Sequence, residues 1–337
     1  MNSQTKKRLP AAAWIMFGMV LGIVLGYMIF VSFPDKKTAA QIAGYVSIVS
    51  DVFLRLIKML IGPLVFSMFF GVALASLGEK ARTLVNAIEE LSHAMLKITG
   101  YVMKLAPLAV LAAMAATVAV NGLEILLKFA VFMGDFYIGL FLLWGILTAA
   151  GFAFLGPRVF KLLVLIKEAF LLSFATASSE AAYPKILDAL DRFGVTRKIS
   201  SFVMPMGYSF NLDGSMMYCT FAVLFIAQAY GIVLTLGTQV TMLLILMLTS
   251  KGMAGVPRAS LVVIAATLNQ FNIPEAGLLL ILGVDTFLDM GRSATNAIGN
   301  SIATAAVAKW EGELLPEDEA ERNAIALDAA LPPPVHA

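Results

Sequence analysis

The chain has 337 residues and a formal net charge of +2, with 60% hydrophobic and 14% charged residues. A soluble domain carries nearly twice that charged fraction, so the composition excludes an ordinary soluble domain, and the near-neutral balance gives no reason to invoke nucleic acid. The single cysteine, Cys219, rules out an internal disulfide and any multi-cysteine metal centre.

Apolar runs long enough to cross a bilayer recur from Ala11 to Trp310. The first, over 11–31, follows Lys6, Lys7 and Arg8. A signal peptide would be shorter and end at a small-residue cleavage site; Phe33-Pro34-Asp35 follows instead, so this run reads as a retained helix with a cytoplasmic N-terminus. A second helix is expected over 43–77, kinked at Pro63, with Asp51, Arg55 and Lys58 on one polar face. Glu79, Lys80 and Arg82 mark a cytoplasmic turn. Helices are expected over 83–118, with Pro107 inside, and over 123–155.

Gly156-Pro157-Arg158, Lys161 and Lys167 form a basic stretch that fits a cytoplasmic face. The apolar segment 162–174 is too short to cross. It breaks at ATASSE (175–180), resumes over 181–190 and ends at Asp191-Arg192, the pattern of a re-entrant hairpin over 158–192. A long helix over 199–232 is interrupted by SFNLDGS at 209–215. A second short apolar pair, 240–248 and 259–268, flanks TSKGMAGVP at 249–257 and predicts a second hairpin over 238–271. A last polar helix is expected over 274–310. The remainder, 311–337, is acidic and then Pro-rich, and reads as a disordered cytoplasmic tail.

The order repeats, hairpin then broken helix and hairpin then polar helix, as in the inverted repeats of secondary transporters. Polar residues inside a bilayer are costly, so their clustering calls for a reason. Asp285, Asp289, Arg292, Asn296 and Asn300 fall at i, i+4, i+7, i+11 and i+15, on one face of the last helix. One reading is a self-neutralising ladder that only holds helices together. The other is a site in which Arg292 takes a carboxylate and Asp289 an ammonium, the two ends of an acidic amino acid. Asn211 and Asp213 flank a turn eased by Gly214 and offer the oxygen ligands an alkali cation takes; the alternative is a capped kink. Ser178 and Ser179, at the first hairpin tip, are hairpin-turn or ligand-contact residues. Glu180 follows them and is a candidate proton carrier, because a carboxyl at membrane depth loses hydration when charged; the alternative is a cap at a helix N-terminus.

The strings TASSEAAYP (176–184), GYSFNLDGS (207–215), TSKGMAGVP (249–257), DTFLDMGRSATNAIGN (285–300) and AKWEGEL (308–314) resemble the glutamate transporter family, the dicarboxylate/amino acid:cation symporters. The resemblance covers the C-terminal half almost continuously and looks closest to the bacterial proton- or sodium-coupled glutamate/aspartate branch. It implies an all-α, multi-pass protein of the inner membrane with both termini cytoplasmic. It also implies a homotrimer, scaffold-like helices over 1–118, and a transport domain over 119–310 that moves like an elevator. By position it implies substrate contacts from Ser178, Ser179, Gly255, Val256, Ser215, Asp289, Arg292, Ser293 and Asn296. Gly207, Asn211, Asp213, Asn296 and Asn300 would outline one cation site, and Ser209 would contribute to another.

Three departures qualify the likeness. Asn300 stands where sodium-driven members carry an Asp, which favours proton coupling. Arg258 and Ser260 replace small glycines after the tip proline. The stretch KMLIGPLVF (58–66) runs almost directly into FGVAL (70–74), so two family crossings are missing. That gap removes scaffold surface and weakens the implied trimer. The expected function is symport of glutamate or aspartate with protons or sodium, with C4-dicarboxylate symport as the alternative. No Ser–His, metal-ligand or paired-carboxylate arrangement suggests an enzyme. No cofactor is expected beyond the coupling ion, and the expected partners are a small acidic substrate and the lipid bilayer.

Overall fold

A computed structural model describes residues 11–75, 82–250 and 259–322, and among these it is almost entirely helical. The helices are α1 (Ala11–Ser32), α2 (Lys36–Ala75), α3 (Arg82–Met103), α4 (Ala106–Asn121), α5 (Glu124–Leu155), α6 (Arg158–Leu165) and α7 (Lys167–Thr176). They continue with α8 (Ser179–Phe193), α9 (Arg197–Phe210), α10 (Asp213–Ala229), α11 (Leu236–Thr249), α12 (Ala259–Gln270), α13 (Leu278–Leu282) and α14 (Asp285–Trp310). Among the described residues, three stretches are long and apolar enough to cross a membrane: Ala13–Ser32, Glu124–Leu155 and Arg197–Ala229. The chain divides into two compact units, one of residues 1–131, 226–232 and 264–286, the other of 132–225, 233–263 and 287–337.

In the first unit, α1 and α2 pack on α4, and α2 also packs on α3. The α4 sequence is mostly Ala and Val, so neighbouring backbones can approach closely. Gly18, Gly22 and Gly26 of α1 use that room. A Cβ on them would stand 2.4, 2.5 and 2.5 Å from the carbonyl oxygens of Pro107, Leu111 and Ala115. This is small-residue packing of the kind membrane helices favour. The helix expected over 83–118 is in fact two. Pro107 lies in the first turn of α4, where its missing N–H is not needed, and the chain turns at Lys104-Leu105 before it. The last helix is likewise divided: α13 ends at Gly283, where a Cβ would collide with the Met114 sulfur. Residues 58–74, where two family crossings are expected to be missing, lie within the continuous helix α2.

In the second unit, α7 and α8 pack on each other as a helical hairpin. The turn consists of Ala177, in the left-handed region at φ 52°, and Ser178, whose hydroxyl caps α8 by accepting from the Ala181 N–H. Leu162, Ile166 and Ala169 from the first arm share one core with Ala182, Ile186 and Leu190 of α8, and with Ala297, Ile302, Ala305 and Ala308 of α14. Helices α9 and α10 are separated by only Asn211 and Leu212.

Residues 311–322 correct the expectation of a tail disordered from 311 onward. Leu314 forms an isolated bridge with Val195, and Arg158 donates to the Leu315 and Phe193 carbonyls at 3.1 Å each. Lys161 pairs with Glu317 and Glu321, and Lys198 with Glu313. An acidic segment meets matching cations here, which composition alone does not reveal.

Candidate functional site

The site is built where the α9–α10 break meets α14, within the second unit. Each turn of α14 from Asp289 to Asn300 places a polar side chain on one side, and Asp289, Arg292, Ser293, Asn296 and Asn300 are all buried, the guanidinium completely. A buried charge needs a partner. Arg292 Nε donates to Asp289 Oδ1 one turn earlier, and Nη1 donates to Ser215 Oγ at 2.9 Å. Asn296 Nδ2 also donates to Ser215 Oγ, at 2.9 Å, while its Oδ1 accepts the Gly214 N–H at 3.0 Å. Ser215 therefore receives two donors and keeps its own proton to give. Ser293 Oγ is buried with no hydrogen-bond partner among the described residues.

Two glycines bring α14 close to the break. A Cβ on Gly214 would lie 2.3 Å from the Arg292 carbonyl oxygen, and one on Gly207 would lie 2.6 Å from Asn300 Oδ1. Asn211 Nδ2 donates to Asn300 Oδ1 at 3.2 Å, and the Asp213 carboxylate lies against Gly299. Gly207, Asn211, Asp213 and Asn300 thus converge beside the Arg292–Ser215–Asn296 network. Ser209 is half-buried on α9, and its hydroxyl bonds back to the Pro205 carbonyl.

Ser178 and Ser179 are buried at the hairpin turn, and Ser179 Oγ has no hydrogen-bond partner among the described residues. The link from this turn to α9 runs through a residue that the sequence reading passed over. Tyr208 donates its hydroxyl to the Ser179 carbonyl at 2.8 Å, with its ring edge-on to Tyr183. Glu180 lies exposed in the first turn of α8. Gly255 and Val256 lie outside the described residues. Two further anchors were also missed. Tyr137 donates to the Phe287 carbonyl at 2.6 Å, and Trp144 Nε1 to Thr295 Oγ1 at 2.7 Å, fixing α14 to α5. Half-buried aromatic residues with one polar atom, set among apolar neighbours, were the available signal.

This arrangement holds one guanidinium, the carboxylates of Asp289 and Asp213, and several neutral donors in a low-dielectric setting. It can exchange charged groups of a small zwitterion or dianion against its own ion pair. Residues 64–310 match the family model described as the sodium:dicarboxylate symporter family. The chain is 43% identical over 252 residues to a C4-dicarboxylate transport protein of Laribacter hongkongensis, covering 74% of this chain and 57% of that one. It is 42% identical over 249 residues to a proton/sodium-glutamate symport protein of Bacillus caldotenax, covering 74% of this chain and 59% of that one. A C4-dicarboxylate transport protein of Bacillus subtilis is 42% identical over 259 residues, 77% of this chain and 61% of that one. The chain thus spans about three-fifths of the length of these relatives.

Proposed function

The chain belongs to the sodium:dicarboxylate symporter family, and we propose that it binds glutamate or aspartate and carries it across the cytoplasmic membrane together with protons or sodium ions. The observation that carries this reading is the fully buried Arg292–Asp289 pair. An acidic amino acid can replace that pair without leaving a charge stranded. Its side-chain carboxylate takes Arg292, and its ammonium takes the Asp289 carboxylate so released. The main-chain carboxylate then falls to hydroxyl and amide donors, Ser293, Asn296 and the Ser178–Ser179 turn. A C4-dicarboxylate fills Arg292 equally well but leaves Asp289 without a cation, which is costly in a dry site. The relatives named for C4-dicarboxylate transport keep that second reading in view.

Around this centre, Gly207, Asn211, Asp213 and Asn300 form the proposed cation site, with Ser209 beside it. Asn300 contributes no negative charge, which favours proton over sodium coupling, and Glu180 is the proposed proton carrier. The α7–α8 hairpin is read as re-entrant, with Gly255 and Val256 closing the site from a second hairpin. The repeated units are read as inverted, in an elevator-type transport domain of a homotrimer in the inner membrane with both termini cytoplasmic. The experiment is uptake of labelled aspartate, glutamate and succinate into proteoliposomes under separate proton and sodium gradients. Proton-driven aspartate or glutamate uptake is expected. Uptake of succinate alone overturns the amino-acid reading.

A further inference from the structure

The AKWEGEL string contributes nothing to the site above, yet its lysine has a definite place. Lys309 and Arg158 line an open recess of about 200 Å3 together with Leu155, Leu314, Leu315 and Pro316. No acidic side chain lines it. On this part of the unit, the cations fall into two groups. Lys161 is matched by Glu317 and Glu321, Lys198 by Glu313, and Arg197 by Asp191. Arg158 and Lys309 have no carboxylate partner among the described residues. Arg158 instead donates to two neutral carbonyls and lies over the Phe193 ring, 5.0 Å from its centroid, which fixes its position without cancelling its charge. Its Nε is buried with no hydrogen-bond partner among the described residues. Lys309 stands exposed in the last turn of α14. Two uncancelled cations thus share one apolar-walled recess.

The residues beside this recess identify the occupant. Trp310 follows Lys309 and is 82% exposed; Phe154 precedes Leu155, and Phe160 lies two positions beyond Arg158, each 56% exposed. A bare Trp next to basic side chains marks the level of lipid headgroups, where phosphates meet the cations, and the bare Phe rings offer apolar surface to acyl chains. We propose that this recess is a binding site for the headgroup of an anionic phospholipid. The phosphodiester sits between Lys309 and Arg158, and the acyl chains lie along Phe154, Phe160 and Trp310. The recess holds several water volumes, enough for a phosphodiester but not for the chains. Because the walls Leu314–Pro316 belong to the segment that bridges to Val195, an occupied site also fastens 311–322 to the end of the α7–α8 hairpin.

The test uses the full chain in neutral detergent, with thermal unfolding and titration as readouts, and does not depend on transport. Phosphatidylglycerol, phosphatidylcholine and inorganic phosphate are added separately. Phosphatidylglycerol is expected to raise the melting temperature saturably, with little effect from the other two. Lys309→Gln, which removes an exposed side chain and leaves the fold intact, is expected to weaken phosphatidylglycerol about fivefold, and Lys309→Arg to retain it. Arg158→Gln is a second variant, but it also loses the two carbonyl bonds, so Lys309→Gln decides. Equal stabilisation by phosphatidylcholine overturns the proposal, as does unchanged phosphatidylglycerol affinity in Lys309→Gln. Stabilisation by inorganic phosphate matching that by phosphatidylglycerol assigns the recess to free phosphate and overturns the lipid.

Discussion

Along α1, Gly18, Gly22 and Gly26 put backbone against the backbone of α4, with no polar side chain in the contact. Along α14, Asp289, Arg292, Asn296 and Asn300 are just as buried, and each is held by named hydrogen bonds to its own helix or to the α9–α10 break. The first contact depends on shape and tolerates no added atoms. The second depends on mutual satisfaction of polar groups and tolerates no missing partner. Only the second leaves groups that a ligand can claim, because an ion pair can be exchanged and a glycine contact cannot.

The sharpest way to break this contrast is to remove one member of the ion pair. Arg292→Ala removes the guanidinium that donates to the buried Asp289 carboxylate, and should cost about 3–5 kcal/mol of stability together with all binding of acidic substrates. Thermal unfolding and calorimetric titration with aspartate check both; a variant as stable as wild type would mean that the pair is not buried as described. The matching change on the other side is Gly22→Leu. Its side chain would enter the space held by the Leu111 carbonyl and the Met114 Cβ. Overpacking of this kind should cost about 1–3 kcal/mol and loosen the first unit without altering ligand contacts in the second. Hydrogen exchange along α1 and α4 reads that directly.

A smaller effect is expected at the hairpin turn. Tyr208→Phe keeps the ring packed on Tyr183 and removes only the hydrogen bond to the Ser179 carbonyl. The loss should be about 0.5–1.5 kcal/mol, appearing as weaker aspartate binding with unchanged helix content. Binding equal to wild type would remove Tyr208 from any positioning role.

The mildest prediction concerns pH. The hydrogen bond from Lys161 holds the Glu321 carboxyl below its ordinary value of 4.5, and the one from Lys198 does the same for Glu313. A depressed carboxylate adds stability above its unfolded pKa and loses it as the pH falls through the folded one. Residues 311–322 should therefore stay docked at neutral pH and begin to release only below about pH 4.5. Amide exchange in this segment, corrected for intrinsic rate, should show that step, and Lys161→Gln should diminish it.

Much of the site could be read from spacing alone. The intervals between Asp289, Arg292, Asn296 and Asn300 specify one helical face, and a charged face cannot point at lipid, so their convergence follows from local geometry. The Asn211-Asp213-Gly214 string marks the break because a polar, glycine-bearing turn interrupts an apolar run. Tyr137 and Trp144 were not legible, since their partners lie 150 and 151 residues away. No local pattern separates an aromatic that donates a hydrogen bond from one that only packs. The order of 311–322 was hidden for the same reason: its acidity was plain, but the cations that match it lie on α6 and α9.

The central claim is that the Arg292–Asp289 pair opens to receive a carboxylate and an ammonium together. The most direct measurement is calorimetric titration of aspartate and succinate into wild type and into Asp289→Ser. Wild type is expected to bind aspartate in preference to succinate, and Asp289→Ser to lose aspartate while succinate is spared or improved. A wild type that prefers succinate, or an Asp289→Ser variant that keeps full aspartate affinity, would contradict the account.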